Sequence, residues 1–404
     1  MFIEYDRPKP KTIDGYNVLN DKNEFYIPPH IWNEMIERFS KKEIIFYLQK
    51  VLKQNNIGFP YRKYSTQEIS SEWNKLKNKD VSDYKIGKWE SPRLHGEYDY
   101  SYLGKEFYFY GNTLGCKVSD NYTQVERVKV SSTSEGRSPF GEWLDPDPNG
   151  IGYSIFRCLF NLYAEDVKKK GVNTRMLFNC TRLHTYMASQ FKPVIAKAVY
   201  NFFDYKKVLD FSSGWGDRLV GFNASNAESY IGIDPNTKLH PHYENIHKYC
   251  DTGKDAKFIC LPAEDVDYSE LDYDFVFTSP PYYRIEKYSQ QETQSWKRYP
   301  KLDLWLDGFL LKTLSKIYEG LNDGGRIAVN ISDGKKTGYE ICRPMLTFMS
   351  AIGANYEGMI GYQMMQRDNK NNYTEDVFCE PIFVWSKGKA KDPKWNQDNF
   401  FGVM

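Results

Sequence analysis

The sequence predicts a doubly wound α/β sheet, mostly parallel, with an antiparallel hairpin at its C-terminal end and an α+β region ahead of it. Three observations point there. Short apolar runs bounded by turn residues (KKVLDF, YIGID, AKFICL, YDFVFTS, RIAVNIS) alternate with helical stretches such as Leu306 to Leu321; this is the pattern of parallel strands joined by crossover helices. The first of these strands runs into a glycine-bearing turn, and the second ends in an acidic residue. The last two runs, IGYQMM and EPIFVW, are joined by a polar loop (Gln366 to Asp376), which reads as a hairpin.

Upstream, apolar positions at helical spacing predict a helix over Glu34 to Gln54, and GKEFYFYGN (Gly104 to Asn112) predicts a strand ending in a turn. The Ser-, Pro- and Gly-rich stretch Ser131 to Gly150 reads as a linker or surface loop. The 404 residues exceed a typical single domain, so two units are expected, 1–150 and 151–404. No apolar run reaches membrane-spanning length, and MFIEYDRPKPK has no secretory pattern. Seven scattered cysteines without C-x-x-C spacing suit free thiols in a reducing, cytoplasmic setting rather than a disulfide framework or a zinc site, and no metal is expected. The net charge of +1 excludes a polycation, so any contact with nucleic acid must be made by local basic clusters.

Four segments carry chemistry. In KKVLDFSSGWGDRL the strand ends at Asp210, and Ser212, Gly214 and Gly216 follow in a tight loop where backbone can approach a ligand, which makes these four candidate cofactor contacts. Leu219 stands where a dinucleotide fold has its third glycine, so a plain strand-to-helix turn is the alternative. Asp234 in YIGIDPN lies about twenty residues further on, the spacing of a ribose-binding carboxylate, although an Asp-Pro helix cap is the other reading. In FICLPAEDVDY, Glu264 or Asp265 is placed to accept a bond from an adenine amine, or to sit in a solvated turn. The fourth segment is YDFVFTSPPYYRIEKY. Consecutive prolines at 280 and 281 remove two backbone donors and leave acceptors uncovered. The Ser279 hydroxyl and the Pro280 carbonyl can accept both N–H bonds of an exocyclic amine, aiming its lone pair at a methyl donor. Tyr282 offers a flat ring for a base, worth roughly 1–3 kcal/mol of stacking.

With Ser279-Pro280-Pro281-Tyr282 in place, the segment from about Ser189 to Lys387 resembles the class I S-adenosylmethionine-dependent amino-methyltransferases, which carry an (Asp/Asn/Ser)-Pro-Pro-(Tyr/Phe) motif and act on cytosine or adenine amines in DNA. The Ser-Pro-Pro-Tyr form is most similar to the N4-cytosine branch. SQFKPVIAKAVY resembles the helix before the cofactor loop, which implies Phe191 and Pro193 near the methionine end of the cofactor; EPIFVW matches the closing strand. The resemblance implies a Rossmann-like methyltransferase sheet over 151–404 and an accessory, substrate-recognition domain over 1–150. It also implies S-adenosylmethionine as cofactor, nucleic acid as partner (DNA favoured, RNA open), no membrane, and direct transfer without a covalent intermediate. The chain has no Pro-Cys dipeptide of the carbon-5 cytosine enzymes. Tyr283, Arg284, Lys287 and Arg298 after the turn, and Arg367 in the polar loop, are the expected substrate contacts. Lys41, Lys42, Lys50, Lys53 and the Tyr61-Arg62-Lys63-Tyr64 run read either as phosphate contacts or as a solvated face. A silent nucleic-acid-binding protein with the same fold is the alternative from another class.

Overall fold

The computed structural model describes residues 16–82, 84–132, 137–145, 155–185, 187–334, 338–364 and 377–395. The chain forms two compact units, each assembled from two separate stretches: Met1–Lys63 with Val128–Ala188, and Tyr64–Arg127 with Ser189–Met404. The boundary expected near residue 150 is therefore not where the units part.

The first unit has a helical core. Its helices span Pro29–Arg38, Lys41–Gln54, Pro139–Leu144, Ala164–Lys170 and Thr174–His184, with a 3-10 turn at Ile155–Phe160. They close over Trp32, Ile44, Leu48, Trp143, Phe156, Leu159 and Phe178. The helix expected over Glu34 to Gln54 is two helices. Ser40 breaks it, because its side chain accepts from the Glu43 amide while Glu43 accepts from the Ser40 amide, a capping box that starts a new helix. The expected linker holds a helix as well. Ser138 caps Pro139–Leu144, and Trp143 is buried with its indole N–H donating to the Ile57 carbonyl at 2.9 Å. Here a Ser-Pro pair marks a helix start rather than a loop.

The second unit contains the sheet. Its strands are β1 (Lys85–Ile86), β2 (Trp89–Glu90), β3 (Phe107–Phe109), β4 (Lys207–Asp210), β5 (Ser229–Ile233), β6 (Asp255–Ile259), β7 (Phe275–Thr278), β8 (Arg326–Asn330), β9 (Asn355–Gln363) and β10 (Val377–Ser386). The order is β1-β3-β9-β10-β8-β7-β4-β5-β6, with β2 beside β10. Strands β8, β7, β4, β5 and β6 are mutually parallel, and β10 runs antiparallel to both β8 and β9. This is a Rossmann-like, mostly parallel sheet with a reversed C-terminal hairpin. The strand predicted at Gly104 to Asn112 is β3, and it extends this sheet along β9 instead of serving a separate accessory domain.

Helices α1 (Thr66–Asn78), α2 (Cys116–Arg127), α3 (Pro193–Phe203), α4 (Asp217–Asn223) and α5 (His240–Cys250) belong to this unit, as do α6 (Lys312–Gly320) and α7 (Cys342–Ala351). Helix α3 is apolar nearly all round and buried to match. Gly221 of α4 lets it touch α3: a Cβ there would stand 2.5 Å from Ala196 Cβ. The strand core is continuous through Leu209, Phe211, Val276, Ile327, Val329, Phe383 and Trp385.

Candidate active site

The order of the strands decides where a ligand goes. Among the parallel strands, chain order runs outward in both directions from the neighbouring pair β4 and β7, so the switch point lies between them, and open parallel sheets bind ligands beyond the carboxyl ends there. Val208 pairs with Phe275 and Leu209 with Val276, so the glycine loop and the Ser-Pro-Pro-Tyr turn leave adjacent strands about 5 Å apart.

The glycine loop is held from within. Asp210 is fully buried, and its carboxylate accepts from Arg218 Nε at 2.8 Å, Arg218 Nη2 at 3.2 Å and the Tyr230 hydroxyl at 2.8 Å. Arg218 also donates to the Ser212 carbonyl. Asp210 was expected among the cofactor ligands; its side chain is instead the anchor of the loop, and Ser212 contributes backbone to that anchor. Gly214 and Gly216 take φ of +57° and +78°, a region that strains any residue with a Cβ. A Cβ on Gly216 would also meet Ile246 at 2.8 Å, whereas one on Gly214 would meet nothing closer than 3.7 Å. Gly214 thus faces open space, with its amide on Asp234 and its carbonyl accepting from Tyr243 at 2.6 Å.

Asp234, at the end of β5, joins this loop. One oxygen accepts from the Gly214 amide at 3.0 Å and the other from the Asn236 amide at 2.9 Å. Each oxygen keeps a lone pair for a further donor. Burial pushes this carboxyl upward, against the two amides that pull it down. The Asn236 bond closes the Asp-Pro turn but does not cap the next helix as the other reading had it, because His240–Cys250 starts after Leu239 with no side-chain cap.

Asp217 was quoted in the motif but given no role. It is 2% exposed, and it accepts from Ser119 of α2 and from Gln190 at 3.1 Å. Burial raises its carboxyl to about 7. Gln190 also donates to the Cys116 carbonyl at 3.1 Å, and Thr123 to the Trp215 carbonyl at 3.2 Å. Helix α2, from the segment expected to be accessory, is therefore the back wall of the loop.

Phe191 and Pro193 sit where α3 begins. The Phe191 ring stacks on Tyr362 at 4.7 Å and 6°, packs edge-on to Phe277 at 5.6 Å, and lies 5.5 Å from the Arg218 guanidinium. Phe277 is on β7, so this ring lies against the strand that feeds the proline turn. Lys192 donates to the Gln363 carbonyl at 2.6 Å, and burial lowers its ammonium.

Glu264 is 1% exposed in a short 3-10 turn after β6. Burial pushes it up. Arg298 bonds it at 2.6 Å and bonds Asp265 at 2.8 Å. Arg298 was expected to reach substrate; two carboxylates hold it instead.

The proline turn is built differently. Ser279, Pro281 and Tyr282 are half-buried and Pro280 is buried. The Tyr282 hydroxyl donates to Glu380 on β10 at 3.3 Å. Tyr283 is a non-glycine residue at φ +54°, buried, with its hydroxyl on the Pro300 carbonyl at 2.6 Å, so it locks the turn rather than facing a ligand. Arg284 and Lys287 lie 5.8 and 5.7 Å from the Trp296 ring. Lys287 has no carboxylate partner among the described residues. Glu286 accepts from Tyr288, whose ring faces Trp215 of the glycine loop at 5.9 Å. Burial, with Glu380 next, raises Glu286 to about 8. Arg367 and the loop that carries it lie outside the described residues.

Among the basic residues of the first unit, Lys63 pairs with Glu24, Lys53 with Asp145 at 3.5 Å, and Arg62 bonds Asn179 at 3.4 Å over the Phe178 ring. The two lysines thus have carboxylate partners within the unit, and Arg62 has an amide and a ring. Among the described residues, no cluster of His, Cys, Asp and Glu is arranged for a metal, and no helix is long and apolar enough to cross a membrane.

No protein-family profile matches the chain, and neither does any curated protein. Solved structures do. A precorrin-6y C5,15-methyltransferase from Geobacter metallireducens aligns at TM-score 0.32 and 11% identity over 48% of this chain and 86% of that one. TrmN from Thermus thermophilus aligns at 0.33 and 15% over 49% of each. An rRNA methylase from Streptococcus thermophilus aligns at 0.30 and 14% over 50% of this chain and 99% of that one. At such scores the likeness decides nothing about this chain, and the fold assignment stands on the strand order itself.

Proposed function

We propose that this protein is an S-adenosylmethionine-dependent methyltransferase acting on the exocyclic amine of a cytosine or adenine base in DNA. One observation carries the reading: the glycine loop with Asp234, and the acceptor-rich Ser-Pro-Pro-Tyr turn, leave neighbouring strands at the switch point of the sheet. The residues fit the cofactor. Gly214 leaves open space beside the loop, the Asp234 oxygens retain lone pairs for ribose hydroxyls, and on this reading the adenine would meet Glu264 and the methionine end the Phe191 ring. When bound, the cofactor supplies an electrophilic sulfonium methyl.

The chain's own work is positioning and charge complementarity. The Ser279 hydroxyl and the Pro280 carbonyl accept the two amine N–H bonds. Tyr282 stacks on the base, and Pro281 keeps the turn rigid. Lys287, just past the turn, is the substrate contact that remains among the described residues after Arg298, Tyr283 and Arg284 are assigned to internal bonds.

Incubation with tritiated S-adenosylmethionine and DNA, with matched RNA in parallel, followed by mass spectrometry of the nucleosides, tests the proposal. N4-methylcytosine or N6-methyladenine from DNA supports it. Label only in RNA moves the substrate to RNA; binding of nucleic acid without the cofactor favours a silent binding protein.

A further inference from the structure

The Ser-Pro-Pro-Tyr turn does not stand alone. Tyr282 donates its hydroxyl proton to Glu380 at 3.3 Å, and Arg93 pairs with the other oxygen of the same carboxylate. Behind Tyr282, the Ser279 hydroxyl is a further hydrogen-bonding neighbour of the phenol oxygen. Glu380 is 6% exposed on β10, a strand that otherwise reads as apolar. Arg93 comes from the stretch between β2 and β3, outside the parallel sheet. Four groups thus form one line, from an arginine just after β2 to the serine at the head of the motif.

The direction of the protons along this line has a chemical consequence. A guanidinium is a donor only, and a carboxylate is an acceptor only. When Glu380 is ionised against Arg93, the Tyr282 hydroxyl must donate to Glu380. The phenol oxygen is then left to accept, and it takes the Ser279 proton. The Ser279 oxygen keeps its lone pairs and can only accept from a substrate in that state. Were Glu380 neutral, the carboxyl could donate to Tyr282, the line could reverse, and Ser279 could point its proton at the incoming amine.

We propose that Arg93 and Glu380 are positioning residues that set the polarity of this relay, so that Ser279 meets the substrate amine purely as a hydrogen-bond acceptor. The inference rests on the methyl-transfer reading of the same turn. Neither residue touches substrate; both act through Tyr282.

The groups that face Glu380 are Arg93 from the segment after β2, Tyr282 from the turn, Lys192 from the approach to α3, Tyr362 on β9, Cys342 at the start of α7 and Glu286 beyond the turn. Burial pushes Glu380 up and Arg93 opposes it first. The relay needs the ionised form, so activity is lost as pH falls through the folded-state pKa of Glu380. Removing Arg93 raises that pKa and carries the acid limb of kcat to higher pH.

Steady-state kinetics of Glu380→Gln, Tyr282→Phe, their double variant and Arg93→Ala test this, with cofactor affinity by calorimetry as control. Glu380→Gln and Tyr282→Phe are each expected to lower kcat by about 10- to 100-fold with KM and cofactor affinity within about twofold. The double variant should be no worse than the weaker single. Arg93→Ala should shift the acid limb upward, and Arg93→Lys should restore it. Single variants within twofold of the parent, together with an unmoved limb in Arg93→Ala, overturn the relay.

A second measurement separates this from failure of the methyl-transfer reading. With 3-fluorotyrosine at position 282, the fluorine resonance should move in both Glu380→Gln and Arg93→Ala whatever the substrate is. A resonance unchanged in both overturns the relay even if DNA is methylated. A resonance that moves in a protein that methylates no nucleic acid leaves the contacts standing and discards the role in amine methylation.

Discussion

The glycine loop and the proline turn leave adjacent strands, yet they are held in opposite ways. The loop is tied down by buried charge: Asp210 with Arg218 and Tyr230, Asp217 with Ser119 and Gln190, and Asp234 with the Gly214 and Asn236 amides. The turn carries two prolines, the strained Tyr283 and one thread of side chains through Tyr282. Under the proposed function the difference fits two tasks. A loop that must hold the same cofactor at every turnover gains from being preformed. A turn that must accept hydrogen bonds from a changing amine needs oxygens left uncovered.

Predictions that break or sharpen this contrast run from the largest effect to the smallest. Arg218→Met strands Asp210 as an uncompensated buried charge and should remove about 3–5 kcal/mol of stability, read by urea unfolding; a loss below about 1 kcal/mol would show that the loop does not depend on its ion pair. The Asp217 carboxyl, raised from 3.8 to about 7, binds protons in the folded state that the unfolded chain releases. Stability should therefore fall as pH rises from about 4 to about 7, by up to about 4 kcal/mol from this group. Asp217→Asn should flatten that slope in unfolding scans, and an unchanged slope would mean the group is ionised throughout. In the turn, Pro281→Ala and Tyr282→Ala should lower methyl transfer by at least about 100-fold while calorimetric cofactor affinity stays within about threefold; full activity in either would count heavily against the role given to the motif. Gly216→Ala combines a left-handed φ with the Ile246 contact, and should lower stability by about 1–2 kcal/mol and weaken cofactor binding, whereas Gly214→Ala meets no wall and pays only for its φ.

The fold and the two loops were readable from residues because each rests on local chemistry. Strand runs, the glycines after Asp210, Asp234 about twenty residues on and the paired prolines all declare themselves within short windows. Even the break at Ser40 was legible, since Ser40 and Glu43 spell a capping box that the apolar periodicity hid. What stayed hidden depends on long-range contact. Glu380 sits inside EPIFVW, where a lone carboxylate in an apolar run signals a buried partner. Nothing local says that the partners are Arg93 and Tyr282, hundreds of residues upstream and about a hundred, respectively. Likewise Arg298 looks like a free cation in sequence, and only the fold brings Glu264 and Asp265 to it. The unit boundary was missed for a related reason: turn-rich composition marks a link only if no buried tryptophan such as Trp143 lies within it.

Each compact unit is interrupted by a piece of the other, with crossings after Lys63, Arg127 and Ala188. A ribosome therefore releases the chain in an order that suits neither unit alone. The first helices wait for residues up to Ala188 before their core can close, while α1, β3 and α2 emerge long before the strands they accompany. A fragment cut at residue 150 would sever both units at once. Separate expression calls for joining each unit's two stretches through a designed connector rather than truncating the gene.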